Sequence, residues 1–158
     1  HPEVKLVIAP HVIDENHLVE IIRKLKRPYV RYTRADEKNV CKADCLIIDC
    51  FGLLSSIYRY GEIAYIGGGF GVGIHNTLEA AVYGIPVIFG PKYQKFQEAI
   101  QLLEAKGAFS VKDYEELKTL LDRMLTDEVF LRESGMNASN YVTGNAGATD
   151  KIMSMINF

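Results

Sequence analysis

A glycine-rich segment is the part of this sequence whose residue types are best suited to binding a ligand. Five glycines, including the pair Gly68 and Gly69, fall within residues 67–73, and the segment continues through His75 to Glu79. Glycines allow close backbone approach and permit positive φ. A helix start behind them would offer unpaired N–H groups and the positive end of its dipole to an anion. The segment therefore predicts a site for a phosphorylated small molecule such as a sugar nucleotide.

Two interpretations of the residues around this segment remain open on chemistry alone. Asn-x-x-Glu is a good helix start, in which Asn76 caps the helix and Glu79 folds back as an N3 acid. Alternatively, the Glu79 carboxylate accepts the hydroxyls of a ribose. His75 can equally donate to an anion, cap or pack. The glycines are not a Walker A motif, because no Gly-Lys-Ser/Thr follows them, and a plain close-packed turn is the alternative to a ligand cradle.

The elements that must position this segment are short apolar runs separated by helical patterns. The predicted strands are Val4–Ala9, Tyr29–Thr33, Asp44–Asp49, Ile63–Ile66, Pro86–Phe89 and Ala108–Val111. The predicted helices lie at about 14–25, 53–58, 76–83, 96–103, 113–124, 126–141 and 145–156, and residues 34–42 are predicted to be a loop. This alternation predicts an α/β fold: a Rossmann-like parallel sheet of about six strands with helices on both faces and a helical C-terminal segment. Ligands bind such sheets at the carboxyl ends of the strands, where Pro10-His11, Asp49–Gly52, the glycine segment and Gly90-Pro91 are expected to gather.

Length and charge restrict the class of protein. A chain of 158 residues is predicted to form a single domain, residues 1–158, and its net charge of −2 argues against nucleic acid as a partner. No apolar run reaches the ~20 residues that a membrane span needs. Because the sequence starts at His1 and Val4 already begins a strand, we expect a piece of a longer protein. Cys41, Cys45 and Cys50 lack the close pairing of metal ligands and are predicted to be reduced, small buried hydrophobic residues in a cytosolic protein.

Four segments together resemble the C-terminal domain of GT-B glycosyltransferases, and most of all the 3-deoxy-D-manno-octulosonic acid (Kdo) transferases. That family carries A-P-R near the first strand, D-T-x-G-E-L after the third, G-G-S…G-G-H-N-P-L-E in the loop and F-G-P-x-x-x-N-F after the fifth. Here the corresponding segments are A-P-H at 9–11, D-C-F-G-L-L at 49–54, G-G-G…H-N-T-L-E at 67–79 and F-G-P…F at 89–96. Order and spacing match from residue 4 to about residue 125, and H-N-x-L-E is the most specific block.

The resemblance implies the donor-binding half of an inverting Kdo transferase of lipopolysaccharide synthesis. Such an enzyme takes Kdo from CMP-Kdo and attaches it to a lipid A precursor at the cytoplasmic face of the bacterial inner membrane. The missing N-terminal domain would hold the acceptor, the catalytic base and the membrane contact, so the isolated chain is expected to bind CMP weakly and transfer nothing. No cofactor is implied, and without an Asp-x-Asp motif no metal is expected.

The family's CMP-binding residues carry over by position. Pro10 and His11 would flank the cytosine, and Phe51, Gly52 and Leu53 would contact the nucleotide largely through their backbone. The implied phosphate and ribose site comprises Gly68, Gly69, His75, Asn76, Thr77, Leu78 and Glu79. The sequence departs from the family pattern at four positions: His11 replaces Arg, Leu53 replaces Glu, Thr77 replaces Pro and Lys95 replaces Asn.

Two other functional classes are compatible with the same loop. A sugar-nucleotide epimerase of GT-B-like fold would use it with acidic and basic groups from both domains. A non-catalytic nucleotide-sensing module would use it for binding alone.

Overall fold

Strands and helices alternate along the chain as the apolar pattern predicts. The structure, a computed structural model, describes residues 1–156, without the side chains of residues 148–151. Its strands are β1 (Leu6–Ile8), β2 (Tyr29–Arg31), β3 (Cys45–Ile47), β4 (Ala64–Tyr65), β5 (Val87–Phe89) and β6 (Ala108–Ser110). Its α-helices are α1 (Glu15–Lys24), α2 (Glu37–Val40), α3 (Leu54–Ile57), α4 (Leu78–Ala81), α5 (Gln97–Glu104), α6 (Tyr114–Thr126), α7 (Glu128–Gly144) and α8 (Ala148–Met155). Two 3₁₀ helices span Tyr32–Arg34 and Tyr58–Tyr60.

The predicted parallel α/β fold is confirmed, with a difference in how the strands pair. The strands form two three-stranded parallel sheets, in the orders β1-β3-β2 and β4-β5-β6, instead of one sheet of about six. Each sheet lies in its own compact unit, His1–Ser56 and Ile57–Phe158. An apolar run specifies that a strand is buried but not which strand it pairs with, so the sequence pattern predicts the strands better than their order.

The first unit is built around β3, which pairs with both β1 and β2. Cys45 and Ile47 of β3 are fully buried against Leu18 of α1. The helix begins as predicted, because the Asp14 side chain accepts a hydrogen bond from the backbone N–H of His17 at 2.9 Å. The packing of α1 on β3 thus holds the carboxyl ends of β1 and β3 in place relative to α1.

The second unit buries both faces of its sheet. Val87 and Phe89 of the central strand β5 pack with residues of α4, α5 and α7, whereas Ile88 packs with Met124 of α6. All three β5 residues are fully buried, as expected for a parallel strand covered by helices on both sides. This rigid layer supports the loops that follow β4 and β5.

Several predicted boundaries and assignments were wrong in detail. Residues 34–42 include the short helix α2, because Asp36 and Asn39 form a reciprocal capping box. Helix α7 begins at Glu128 and not at the predicted residue 126, because the Asp127 side chain caps it by accepting from Phe130 N. Among the cysteines Cys45 is buried, but Cys41, just after α2, is exposed, so the prediction of burial fails there.

Within residues 1–156, no helix is long and apolar enough to cross a membrane. The side chains described for residues 1–147 and 152–156 bring no three His, Cys, Asp or Glu together as a metal site.

Candidate functional site

The glycine segment forms a narrow loop that closes on itself after β4. The N–H of Gly69 donates to the carbonyl of Gly73 at 2.7 Å, and Gly68 and Ile74 form an antiparallel bridge. Gly68 and Gly69 have φ of 88° and 73°, in the left-handed region that favours glycine. A Cβ atom on Gly69 would lie 2.7 Å from the Cα of Gly90. At these two positions the chain itself requires glycine.

The loop that follows β5 is fixed to this glycine loop. Lys92 N donates to the carbonyl of Gly69 at 2.9 Å. The Phe96 ring covers Gly73 so closely that an added Cβ atom would lie 2.9 Å from it. Because β4 and β5 are adjacent parallel strands, the glycine loop and Gly90-Pro91 meet at the carboxyl edge of the sheet, as predicted.

Asn76 and Glu79 stand at the end of the glycine loop and interact through their side chains. Asn76 Oδ1 accepts from Leu78 N at 3.0 Å, and Asn76 Nδ2 donates to Glu79 Oε1 at 3.0 Å. The Asn76 side chain thus accepts from the first N–H of α4, but the N-cap of that helix is Thr77, so the prediction that Asn76 is the cap is wrong by one residue. Glu79 returns to the Asn76 side chain and not to a backbone N–H. Within the described residues, no group donates to Glu79 Oε2.

The negative charge of Glu79 affects the pKa of Tyr58, the first residue of the 3₁₀ helix Tyr58–Tyr60. Burial, and after it the nearby Glu79 carboxylate, raise the pKa of the Tyr58 phenol. Tyr58 is half-buried against the core of the second unit. The hydrogen bond that the described residues give to the Glu79 carboxylate comes from the Asn76 amide.

Thr77 and His75 occupy contrasting positions beside Asn76. Thr77 is 1% exposed, and its hydroxyl oxygen is buried with no hydrogen-bond partner within residues 1–156. His75 is exposed, and its ring lies near Gly67, where an added Cβ atom would be 3.8 Å from Cδ2. Leu78 is exposed at the first position of α4. The predicted phosphate and ribose residues, Gly68, Gly69, His75, Asn76, Thr77, Leu78 and Glu79, thus form one continuous segment of the second unit.

The remaining predicted site residues lie in the first unit. Pro10 and His11 follow β1, and the segment Phe51–Leu53 follows the adjacent strand β3, with Ile48 N donating to Ile8 O at 2.8 Å between the two strands. Both groups therefore emerge at the same carboxyl edge of the first sheet.

Phe51–Leu53 is an open turn. Phe51 is 81% exposed and Gly52 has φ of 87°. The carbonyl of Leu53 accepts from the backbone N–H and the hydroxyl of Ser56. In contrast, the N–H groups of Phe51, Gly52 and Leu53 donate to no other group in the described part of the chain. These N–H groups can contact a ligand through the backbone, as the resemblance implies for this segment.

A buried ionic network at the end of β3 was not predicted. Asp49 accepts from Thr33 N at 2.9 Å, from Thr33 Oγ1 at 2.6 Å and from Arg31 Nε at 2.8 Å. Arg31 also donates to both carboxylate oxygens of Glu15, at 2.8 and 2.9 Å. Burial opposes ionisation of Asp49, but the hydrogen bonds from Thr33 and Arg31 outweigh it and lower its pKa to about 2. The sequence did contain a signal for this network: an acidic residue, Asp49, and a basic residue, Arg31, at the ends of two predicted strands. Only the structure shows that these strands are neighbours.

Comparison with known proteins relates the chain to a family of transferases. It is 36% identical over 128 residues to 3-deoxy-D-manno-octulosonic acid transferase of Aquifex aeolicus, covering 80% of this chain and 35% of the relative. It is 32% identical over 120 residues to the enzyme of that name from Rickettsia felis, covering 74% of this chain and 26% of the relative. The chain therefore spans about a third or less of the length of these relatives.

A solved structure has the same fold over nearly the whole chain. The C-terminal CMP-Kdo binding domain of WaaA from Acinetobacter baumannii superposes with a TM-score of 0.73 at 16% identity, covering 90% of each chain. No protein-family model matches the sequence. The relatives confirm the predicted resemblance to Kdo transferases, and the solved domain confirms the predicted fold.

Proposed function

From its homology to Kdo transferases, we propose that this chain is the donor-binding half of a glycosyltransferase that transfers Kdo from CMP-Kdo to a lipid A precursor. The donor follows from the relatives' name and from the CMP-Kdo binding domain of the same fold. The acceptor belongs to a further, N-terminal domain, which the greater length of the relatives supports. In this proposal residues 1–158 act as one nucleotide-sugar-binding domain of a protein that works at the cytoplasmic face of the inner membrane.

The observation that carries the proposal is the state of the Glu79 carboxylate. One of its oxygens is oriented by Asn76 Nδ2 at 3.0 Å, and the other is unpaired within the described residues. A carboxylate held in this way is pre-organised to accept hydrogen bonds from ribose hydroxyls without first breaking an ion pair. It lies at the end of a glycine loop that is itself fixed to the loop after β5.

The other predicted residues would also contact CMP in this proposal. The Pro10-His11 and Phe51–Leu53 turns, in which His11, Phe51 and Gly52 are exposed, would contact the base, and the N–H groups of the second turn, which donate to no other group within the described residues, would serve as donors. The segment Gly68–Thr77 would lie against the phosphate, and the exposed Lys92 and Lys95 of the β5–α5 loop add positive charge beside it.

In the proposed reaction the acceptor hydroxyl attacks the anomeric carbon of Kdo while the bond from that carbon to the CMP phosphate oxygen breaks. A carboxylate on the N-terminal domain takes the hydroxyl proton, and CMP leaves with the bonding electron pair. The part of this chain is to bind CMP and to stabilise the charge that develops on its phosphate. The isolated chain is accordingly expected to bind CMP and to release no CMP from CMP-Kdo.

Calorimetric titration of the chain with CMP, UMP and AMP tests the proposal. CMP should bind most tightly. Glu79→Ala should weaken CMP binding by about 10-fold or more, because a hydrogen bond to a charged group is lost. The matched control is Glu62→Ala, which removes an exposed acid from the same unit and should leave the affinity unchanged. Equal binding of the three nucleotides, or equal affinity of Glu79→Ala and the parent, would remove the donor-site assignment.

A further inference from the structure

Positive charge is unevenly distributed over the loops at the carboxyl edge of the second sheet. Residues 65–91, which include the loop after β4, contain no lysine or arginine. Lys112, in the loop after β6, forms an ion pair with Glu116. Lys92 and Lys95, in the loop between β5 and α5, are exposed and form no ion pair within the described residues. The loop between β5 and α5 therefore supplies the cations that are available at this edge in the described part of the chain.

The loop between β5 and α5 is held by contacts that do not use its lysine side chains. Gln94 Nε2 donates to the carbonyl of Pro91 at 2.8 Å, and Phe96 N donates to the carbonyl of Tyr93 at 2.8 Å. The Tyr93 ring packs against the ring of Phe89 in β5, with 5.5 Å between the ring centres. The backbone of the loop is therefore fixed, while both lysine side chains remain exposed.

The two lysines differ in how they are connected to the glycine loop. The backbone N–H of Lys92 donates to the carbonyl of Gly69 at 2.9 Å, so the flexible Lys92 side chain starts directly beside that glycine. Gly69 also packs so closely on Gly90 that an added Cβ atom would lie 2.7 Å from the Gly90 Cα. Lys95 has no hydrogen bond to the glycine loop within the described residues. Lys92 is thus the cation with a fixed connection to the segment assigned to the phosphate.

The glycine loop, residues 67–73, carries no charged side chain, so it offers a phosphate only the partial charges of its N–H groups. We propose that Lys92 is a further residue of the donor site, whose ammonium group binds the phosphate of the nucleotide. This inference rests on the proposed function, because it names the cation that the phosphate site would use. When CMP leaves, its phosphate gains a second negative charge, and an ammonium group that is not neutralised by an ion pair stabilises that charge.

Calorimetric titration with CMP tests the role of Lys92 in the parent chain, Lys92→Met and Lys92→Arg. Lys92→Met should weaken CMP binding about 3- to 10-fold, because a charge-assisted hydrogen bond is lost. Lys92→Arg keeps the positive charge and should bind CMP within about twofold of the parent. The matched control is Lys95→Met, which removes the same charge from the same loop and should leave the affinity within about twofold of the parent.

A series of NaCl concentrations separates a charge contact from a structural role. Salt screens the attraction between the ammonium group and the phosphate, so the CMP affinity of the parent should fall as NaCl is added. The fall should be smaller in Lys92→Met. Methionine keeps the backbone hydrogen bond to Gly69, so equal urea unfolding midpoints of the parent and Lys92→Met are expected and verify that the fold is unchanged.

The outcomes separate the two proposals. If the parent does not bind CMP more tightly than UMP and AMP, the proposed function fails and the role of Lys92 fails with it. If the parent prefers CMP but Lys92→Met binds CMP like the parent, or shows the same salt dependence, only the role of Lys92 is overturned. That role is also overturned if Lys92→Arg binds as weakly as Lys92→Met, or if Lys95→Met weakens CMP binding as much as Lys92→Met does.

Discussion

Two carboxylates, Asp49 just after β3 in the first unit and Glu79 in α4 of the second, have opposite environments. The Asp49 side chain is 1% exposed and accepts three hydrogen bonds, one of them from a guanidinium. Glu79 is half-buried and accepts, within the described residues, from a single donor, the amide of Asn76. The first carboxylate is saturated by its own chain, whereas the second retains capacity for another partner.

The number of hydrogen bonds that each carboxylate accepts distinguishes a structural role from a binding role better than the position of the residue in the fold does. Asp49 follows β3 directly and Glu79 lies in α4 after the loop that follows β4, and both belong to segments that resemble the same family. If Asp49 gave up its hydrogen bonds to contact a ligand, a buried charge would lose its partners, which costs several kcal/mol. Glu79 can accept a ligand at no such cost. We therefore expect Asp49 to govern stability and Glu79 to govern nucleotide affinity.

The largest effect is expected from Asp49→Asn, which removes the charge that pairs with Arg31. The free energy of unfolding at neutral pH should fall by about 2 to 3 kcal/mol, since the buried carboxylate loses its charge-assisted hydrogen bonds from Arg31 and Thr33, while Arg31 keeps its ion pair with the exposed Glu15. Urea denaturation measures it. The matched control is Asp44→Asn: Asp44 pairs with the exposed Lys5 at 2.6 Å, and such surface pairs contribute at most about 1 kcal/mol.

The same variant has a pH signature with a definite sign. The pKa of Asp49 is lowered from 3.8 to about 2, so its contribution is complete above pH 3.8 and is lost as the pH falls through about 2. The stability difference between parent and Asp49→Asn should therefore be constant near neutral pH and shrink below about pH 4. A difference that stays constant down to pH 2 would contradict the assigned network.

A smaller effect is expected in the second unit from Gly69→Ala. Alanine would place Cβ 2.7 Å from the Cα of Gly90 and would hold φ near 73°, so we expect a loss of about 2 kcal/mol. The matched control is Gly71→Ala in the same loop, because nothing lies within 4 Å of its added Cβ atom. That variant should change stability by less than about 1 kcal/mol. Equal losses in the two variants would mean that the loop is not locked at Gly69.

Gly69 and the segment that follows it show which features of the site could be predicted from the sequence and which could not. The pattern H-N-T-L-E placed a helix start two residues before α4 begins and predicted that Glu79 folds back toward Asn76, because both depend on local spacing. It could not indicate that Gly69 is required by Gly90, because that contact joins segments about 20 residues apart.

The same limit applies to the fold. The strands were predicted from their apolar runs, but the order β1-β3-β2 was not, since pairing is a tertiary property. The Asp49 network depends on that order: Arg31 and Thr33 reach Asp49 because β2 lies beside β3.

The smallest effect is expected from a pair of threonines, Thr77 in the second unit and Thr33 in the first, whose hydroxyls differ in their hydrogen bonding. The Thr77 hydroxyl is buried without a partner in the described residues, whereas Thr33 Oγ1 donates to Asp49 at 2.6 Å. Thr77→Val should raise the free energy of unfolding by about 1 kcal/mol, because an unpaired buried hydroxyl is replaced by a methyl group of similar size. Thr33→Val, the matched control, should lower it by about 2 kcal/mol, because a hydrogen bond to a charged acceptor is lost. Urea denaturation of both variants measures the signs. Destabilisation by Thr77→Val would mean that this hydroxyl is bonded within the folded chain, and the second region would then be as saturated as the first.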